Sequence, residues 1–321
     1  MTASLVLLSN HAQDRKFCEL LAHEAGVGFQ PAEKPVDLVK AIESANPAAL
    51  FIADEHHIDV TKAFQEAFGL FSDKVNPNRV HFLSSQDLAE SAAVLNSPFF
   101  GSYVSRGSTS PESAAKRYSH VIRASMRDRA FTLKSLMDEK SKIQVIKFSK
   151  TSQKQEGVEA VKNFLLALKF KSRMATVVAN AVDELVMNAM FDAPADDFGS
   201  PLFMSTPRDT VMDLEGRRAV EMVVGYDGST VGIMAIDLFG SLDKKKLIAH
   251  ISKRYTEEEY KVKRNMAGAG IGLATVFRSG GSFFFCCEKA EKTEVTVFFQ
   301  RTDNFREFKD QFRFISTQFY Y

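Results

Sequence analysis

The feature that most constrains this chain is the alternation of short apolar runs with helical segments over its first hundred residues. Helical patterns occur between the apolar runs, for example at 14–26 and 36–45. Strands that are buried on both faces have continuous apolar sequences, and strand–helix alternation favours a doubly wound α/β sheet with parallel strands. The apolar runs are SLVLLS (4–9), AALFIAD (48–54), RVHFLSS (79–85) and GSYVSRG (101–107).

Length and charge exclude several classes of protein. The 321 residues are enough for two domains, and a net charge of +1 offers no basic field for nucleic acid. The three cysteines, Cys18, Cys286 and Cys287, have neither a disulfide framework nor zinc-site spacing. Only four consecutive apolar residues, 5–8, occur near the N-terminus, too few for a signal peptide or a membrane span. We therefore expect a cytoplasmic protein that binds neither nucleic acid nor a membrane.

Polar side chains follow three of the predicted strands, where ligands bind in doubly wound folds. These residues are Asp54, Ser84 and Arg106. On these positions the segment 1–109 resembles a response-regulator receiver domain. The resemblance places Asp54 where receivers carry the phosphorylated aspartate, Ser84 where a Ser or Thr is usual, and Arg106 where receivers have a lysine.

The first strand departs from the receiver pattern. Receivers place two acidic residues there to hold Mg²⁺, whereas this chain has Ser9 and Asn10. A hard dication needs several anionic oxygens, and one carboxylate is a poor site. We therefore predict a pseudo-receiver that is not phosphorylated by the usual route. Asp54 remains a candidate phosphoacceptor, and the alternative is that it is a loop or helix-capping carboxylate.

Residues 110–140 have the pattern of one long charged helix. Ser110 is a capping residue, and Pro111 occupies the first turn. Because apolar positions are sparse, we interpret the segment as a linker or signalling helix through which a homodimer could form. His120 is followed by valine rather than by an acidic residue, and there is room for only one helix. We therefore interpret His120 as a surface or packing residue rather than a phosphoacceptor.

From residue 141 the pattern changes to helices combined with antiparallel strands. This combination predicts an α+β two-layer sandwich over residues 141–303. The predicted elements are a strand at 142–148, helices at 155–169 and 172–191, a polar insertion at 193–218, strands at 219–227 and 230–239, a helix at 243–255 and a closing hairpin at 283–300.

Three polar residues in this half interrupt apolar elements. Glu184 and Asn188 are four residues apart in DELVMNAMFDAP (183–194), so they project from one side of an otherwise apolar helix. Asp237 ends an apolar strand. A carboxylate such as Glu184 can orient or deprotonate a nucleophile, and an amide oxygen can ligate Mg²⁺. A buried aspartate can accept a hydrogen bond from an exocyclic amine such as that of adenine.

A glycine-rich stretch, GAGIGLA (268–274), precedes a further helical segment. Glycines let the backbone approach an anion closely, and the positive end of a helix favours negative charge. The charged stretch before it contains Lys261, Lys263 and Arg264, which either contact phosphates or belong to a solvated loop.

In this order the motifs resemble the GHKL nucleotide-binding (Bergerat) fold of histidine kinases, gyrase-type ATPases, Hsp90 and anti-sigma-factor serine kinases. The resemblance covers residues 141–303 and implies ATP and Mg²⁺ as cofactors. It implies the following roles: Glu184 as catalytic base, Asn188 as nucleotide and Mg²⁺ ligand, Asp237 as adenine reader, Gly240, Gly268, Gly270 and Gly272 as glycine-box residues, and Thr293 as the threonine near adenine. The first glycine box is altered, because Phe239 and Ser241 occupy its glycine positions.

The last segment, 304–321, is rich in aromatic residues. A helical stripe at spacings of 3, 4, 3 and 4 is one interpretation, and a short strand in FRFISTQFYY is the other. Either the chain itself or a partner should cover this much aromatic surface. The stripe comprises Phe305, Phe308, Phe312, Ile315 and Phe319.

These patterns together predict a bacterial-type signalling regulator in which a pseudo-receiver precedes a GHKL ATPase-like domain. We expect ATP-dependent binding of a regulatory protein partner, or phosphorylation of a protein serine or threonine. The alternative is a non-catalytic pseudokinase scaffold, which the altered first glycine box favours. A histidine autokinase is the third possibility, and the missing phosphoacceptor hairpin disfavours it.

Overall fold

Two units make up the structure, a computed structural model that describes residues 3–45, 47–69, 73–106, 110–127, 131–203, 205–253 and 271–321. Unit 1 comprises residues 1–136 and 312–318, and unit 2 comprises residues 137–311 and 319–321. Five of the predicted phosphate-contacting residues lie outside the described residues: Lys261, Lys263, Arg264, Gly268 and Gly270.

Unit 1 is built on a sheet whose first five strands are parallel, in the order β2-β1-β3-β4-β5. A sixth strand, β11, joins β5 in the antiparallel direction. The order 2-1-3-4-5 is one of the common doubly wound arrangements, so the prediction of a parallel α/β sheet is confirmed. The strands are β1 (Ser4–Leu8), β2 (Gly28–Ala32), β3 (Ala49–Ala53), β4 (Val80–Ser84), β5 (Ser102–Ser105) and β11 (Phe314–Tyr320).

The helices of unit 1 form two contacting pairs, α1 with α5 and α2 with α3. The four apolar runs predicted as strands are confirmed, but β2 was not predicted. Its sequence, GFQPA, is polar and contains Pro31, which is tolerated because β2 lies at the edge of the sheet. The helices are α1 (Ala12–Ala25), α2 (Pro35–Ala45), α3 (His57–Phe68), α4 (Ala92–Leu95) and α5 (Pro111–Ser125).

The prediction of one linker helix over 110–140 is wrong. Helix α5 ends at Ser125, and the boundary between the units lies after residue 136. The predicted cap is confirmed, because Ser110 accepts a hydrogen bond from the Ser113 amide at 3.3 Å. The inward face of α5 packs against α1. Because this face includes small residues, the sequence of α5 contains few large apolar side chains. This face comprises Ala114, Ala115, Tyr118, Val121 and Ile122. A homodimer through this helix stays an untested prediction.

Unit 2 contains an antiparallel sheet in the order β9-β10-β8-β7-β6, with helices packed against it. Its strands are β6 (Lys142–Phe148), β7 (Val220–Tyr226), β8 (Thr230–Asp237), β9 (Ser282–Glu288) and β10 (Lys292–Gln300). Its helices are α6 (Lys154–Ala167), α7 (Ser172–Met187), α8 (Lys244–Ser252), α9 (Ile271–Arg278) and α10 (Phe305–Asp310). The predicted mixture of helices and antiparallel strands, including the closing hairpin, is confirmed.

Helix α7 is the central helix of unit 2. It contacts α6, α9, β8 and β10, and eight of its residues are buried. With the following turn it forms the stretch Ser172–Asp192, which is the one helical stretch of the described residues that is long and apolar enough to cross a membrane. Since 61% of its most apolar window is buried inside the structure, it also fits a core helix.

The aromatic C-terminal segment is divided between a short helix and a strand, so a single helical stripe over 305–319 is wrong. The strand interpretation is confirmed for Phe314–Tyr320. The chain itself covers most of this surface, since four of the five aromatic or aliphatic positions are buried: Phe308, Phe312, Ile315 and Phe319. The segment 304–321 is therefore not a separate tail, since parts of it belong to each unit.

Candidate functional site

The strand ends of unit 1 carry a network of charges centred on Arg106. Its guanidinium donates to both carboxylate oxygens of Asp14 at 2.9 Å, and its Nη1 donates to Asp54 Oδ1 at 3.1 Å. The Ser84 hydroxyl donates to the other oxygen of Asp54 at 2.5 Å. Asp54, Ser84 and Arg106 therefore lie together at the strand ends, and both oxygens of Asp54 are hydrogen-bonded.

Asp14, which is 3% exposed, was not predicted as a site residue. It lies in the first turn of α1, on the same face as the buried residues Phe17, Cys18 and Leu21. A carboxylate within an apolar helical stripe was the signal that could have found it. Ser9, at one of the two positions where an acidic residue was missing, donates to Asp14 at 2.7 Å.

The Ser84 hydroxyl and the Arg106 guanidinium together keep Asp54 ionised. Partial burial opposes ionisation, but hydrogen bonds from Ser84 and Arg106 outweigh it and lower the pKa of Asp54 below its usual value. The guanidinium thus provides positive charge at the strand ends. Among the described residues, no group of three His, Cys, Asp or Glu side chains is arranged to hold a metal ion.

We expect unit 1 not to accept phosphate from a small-molecule donor. Both oxygens of Asp54 are hydrogen-bonded, and Ser9 and Asn10 supply no anionic oxygens for Mg²⁺. The measurement is intact mass after incubation with acetyl phosphate and Mg²⁺. A stoichiometric gain of one phosphate that disappears in Asp54→Asn would contradict this expectation.

In unit 2 the helix that carries Glu184 and Asn188 contacts the glycine-rich stretch at Gly272. Asn188 Nδ2 donates to Glu184 Oε1 at 3.3 Å, so the two side chains lie on one side of their helix. A methyl group built on Gly272, in α9, would lie 1.9 Å from Glu184 Cδ. The Glu184 carboxyl group therefore occupies the space beside α9 that a side chain at position 272 would fill.

Burial brings the pKa of the Glu184 carboxyl group close to neutral pH. Loss of hydration raises the pKa of Glu184 to about 7, and the neighbouring Asp192 also raises it, while Asn188 and Arg208 act in the opposite direction. A general base works best when its pKa is close to the working pH. Glu184 therefore has the acid–base properties that its predicted role requires.

Asp237 and Thr293 form the second polar pair of unit 2. They are directly opposite each other in the β8–β10 ladder, at 5% and 3% exposure. Burial raises the pKa of Asp237 to about 7, although the Phe239 amide donates to its Oδ1 at 2.9 Å. The nearby Thr293 hydroxyl lowers the pKa of Asp237 and so favours its ionised form. By distance and angle, however, this hydroxyl is hydrogen-bonded to none of the described residues.

The loop after Asp237 is held in place at both ends. Gly240 has a φ of 57°, and a Cβ there would lie 2.0 Å from the Glu288 carbonyl oxygen. The structure thus places Gly240 against the β9–β10 turn. Phe239 is 6% exposed, with the Arg217 guanidinium 5.1 Å from the centre of its ring. Ser241 donates to the Ala193 carbonyl at 2.7 Å, which connects this loop to the segment that follows Asn188.

A five-residue π turn, Asn188–Asp192, follows α7. Such turns are frequent at functional sites. Asp192, at its end, forms an ion pair with Arg208 from the polar insertion. Neither Asp192 nor Arg208 was predicted as a site residue. The carboxylate four residues after Asn188 was a signal for Asp192, but nothing in the pattern of the insertion distinguished Arg208.

Comparisons with known proteins add little to this geometry. No protein-family model matches the chain, and no curated protein matches it. Among solved structures, the SiaB–SiaC complex from Pseudomonas aeruginosa is similar to 48% of this chain and 88% of the other chain, at 18% identity and a TM-score of 0.30. Similarity at this level carries no conclusion about function, so the interpretation of both sites depends on the residues themselves.

Proposed function

We propose that unit 2 binds an adenine nucleotide and that the protein is a signalling regulator controlled by this binding. The observation that carries the proposal is the Asp237–Thr293 pair. A carboxylate and a hydroxyl are buried opposite each other, and the hydroxyl lacks a hydrogen-bond partner among the described residues. Buried polar groups are nearly always satisfied, so an unsatisfied one points to a ligand or a bound water.

The chemistry of the pair suits adenine. An ionised Asp237 accepts a hydrogen bond from an exocyclic amine, and the Thr293 hydroxyl can donate to a ring nitrogen. Glu184 and Asn188 would then contact the phosphate end, since Ser241 and Ala193 connect the loop after Asp237 to the segment following Asn188. Both ends of a nucleotide thus have polar groups within unit 2.

The proposed reaction is transfer of the terminal phosphoryl group of ATP to a hydroxyl group of a protein partner or to water, with ADP as the leaving group. Glu184 orients the nucleophile and removes its proton. Asn188 donates to Glu184 through its side-chain nitrogen, so its side-chain oxygen would hold Mg²⁺. Mg²⁺ would supply positive charge for the phosphates there, and catalysis of this kind is mainly positioning and charge stabilisation. Unit 1, as a pseudo-receiver, supplies a regulatory surface.

Asp237→Asn is expected to weaken ATP binding by about 1.5–3 kcal/mol, because a charged acceptor becomes a neutral amide. The measurement is the shift in melting temperature at millimolar ATP and Mg²⁺, compared between the variant and the unmutated protein. Thr293→Val, which removes the facing hydroxyl at nearly constant volume, should weaken binding less. If ATP does not shift the melting temperature of the unmutated protein, the proposal fails.

A non-catalytic scaffold is the second candidate, and one observation favours it. Phe239 replaces a glycine of the first glycine box and is buried beside Asp237. An aromatic ring at this position narrows the space for a base. A protein that binds ATP without turnover or transfer to any partner would support the scaffold. No observation favours the histidine autokinase, because His120 lies on the single helix α5 and contacts Arg123 at 3.1 Å.

A further inference from the structure

Asp192 and Arg208 form an ion pair directly beyond the Glu184–Asn188 pair. Glu184, Asn188 and Asp192 follow one another at intervals of four residues, and the charge of Asp192 acts on Glu184. Arg208 Nη2 donates to Asp192 Oδ1, and the guanidinium carbon lies 5.2 Å from the centre of the Phe191 ring. Arg208 is thus anchored on the π turn by a carboxylate and an aromatic face.

Each partner of this ion pair also has an unused polar atom. Arg208 Nη1 and Asp192 Oδ2 are both buried, and neither has a hydrogen-bond partner within the part of the chain that the structure describes. A buried guanidinium N–H without an acceptor is unfavourable, because it has lost its hydrogen bond to water and no protein acceptor replaces that bond. The ion pair therefore leaves one donor of Arg208 available to an acceptor that enters the site.

Arg208 belongs to the same local environment as the proposed base. Its positive charge lowers the pKa of Glu184, against the effect of burial, so the two side chains are close enough to interact. Arginine is well suited to phosphate because its planar donors match two phosphate oxygens. In the proposed nucleotide orientation, this end of unit 2 receives the phosphates and the Asp237 end receives the base.

We infer that Arg208 binds the terminal phosphate of the nucleotide and that Asp192 and Phe191 hold its guanidinium in position for this contact. The inference rests on the proposed nucleotide site. Arg208 would make unit 2 selective for a nucleoside triphosphate over a diphosphate, because only the triphosphate reaches the unused donor. The anchoring by Asp192 reduces the cost of ordering a long side chain when the ligand binds.

Titration calorimetry with ATP and with ADP, each with Mg²⁺, tests the inference. In Arg208→Gln we expect the dissociation constant for ATP to rise about tenfold or more, the scale of one charge-assisted hydrogen bond, and that for ADP to change less than about twofold. Arg208→Lys keeps the charge but loses the planar pair of donors, so it should retain part of the preference for ATP. Arg218→Gln is the matched control, since it removes the same charge from the same insertion and should leave both constants unchanged.

The outcomes separate this inference from the proposed function. If the unmutated protein binds neither nucleotide, both are wrong. If it binds nucleotide but Arg208→Gln weakens the binding of ATP and ADP equally, or weakens the binding of neither, only the role assigned to Arg208 is wrong. Should Arg208→Gln fail to fold, Arg208→Lys decides, and an unchanged ratio of ATP to ADP affinity in that variant would contradict the inference. Asp192→Asn should lower the ratio as well, because the guanidinium loses its anchor.

Discussion

Glu184→Gln is expected to reduce turnover by about 100-fold or more while leaving nucleotide affinity nearly unchanged, the usual scale for loss of a general base. The substitution keeps the shape of the side chain, which matters because its carboxyl carbon lies only 1.9 Å from the position that a Cβ on Gly272 would take. It removes the proton acceptor and leaves the neighbouring Asn188 in place. Turnover is measured as phosphate release or transfer from ATP, and affinity by calorimetry.

The pH dependence of turnover gives the same prediction a second test. Burial raises the pKa of Glu184 to about 7, so the ionised base is a minority below that pH and the majority above it. At saturating ATP, where the ionisation of Asp237 does not limit binding, turnover of the unmutated protein should therefore rise as pH increases through about 7, and Glu184→Gln should lose this rise.

Asp183→Asn is the matched control for Glu184→Gln. Asp183 is the adjacent residue, but it is 43% exposed and paired with Lys154, so its loss should change turnover by no more than about threefold. Asn188→Ala, in contrast, should weaken Mg²⁺-dependent binding. If Glu184→Gln turns over as fast as the unmutated protein, the base has been wrongly assigned even where the fold is right.

Gly240→Ala is expected to destabilise unit 2 by about 3 kcal/mol, as the sum of two effects. A φ of 57° is unfavourable for a residue with a Cβ, by about 1–2 kcal/mol. The added Cβ would also lie 2.0 Å from the Glu288 carbonyl oxygen, and relieving such overpacking typically costs about 1–3 kcal/mol. The measurement is the free energy of unfolding in urea, followed by circular dichroism. Nucleotide binding should fall as well, since the loop begins at Asp237.

Gly216→Ala separates the two effects. Gly216 has a φ of 58°, almost the same as Gly240, yet a Cβ there would meet no atom within 4 Å. Its substitution should therefore show only the backbone cost of about 1–2 kcal/mol. Equal losses in the two variants would mean that the loop after Asp237 does not pack against the β9–β10 turn.

Local patterns predicted most elements of the fold. The apolar runs of β1, β3, β4 and β5 are continuous because these strands are buried, and the spacing of Glu184 and Asn188 placed them correctly on one side of a helix. These features depend on neighbours in sequence. The predictions failed where tertiary contacts determine which residues are buried. In α5 the buried face includes the small residues Ala114 and Ala115, and it is recognised as a core face only from its contact with α1.

The charged partners of the sites were harder to predict. Asp14 meets Arg106 across 92 residues, and Arg208 reaches Asp192 from an insertion without helical or strand periodicity. A single sequence can point to one carboxylate, as for Asp14 and Asp192, but it does not show which distant arginine will lie beside that carboxylate in the fold. Strand β2 was not predicted for a different reason. It is an edge strand that contains Pro31, and it lacks the apolar pattern of the neighbouring strands.

The central claim, adenine-nucleotide binding through Asp237, is tested most directly by titrating the protein with ATP and with GTP in the presence of Mg²⁺. An ionised Asp237 accepts from the amino group of adenine but faces an oxygen at the corresponding position of guanine, so ATP should bind about tenfold more tightly or better. This preference should disappear in Asp237→Asn. Absence of ATP binding at millimolar concentration, or equal affinity for ATP and GTP in the unmutated protein, would contradict the claim.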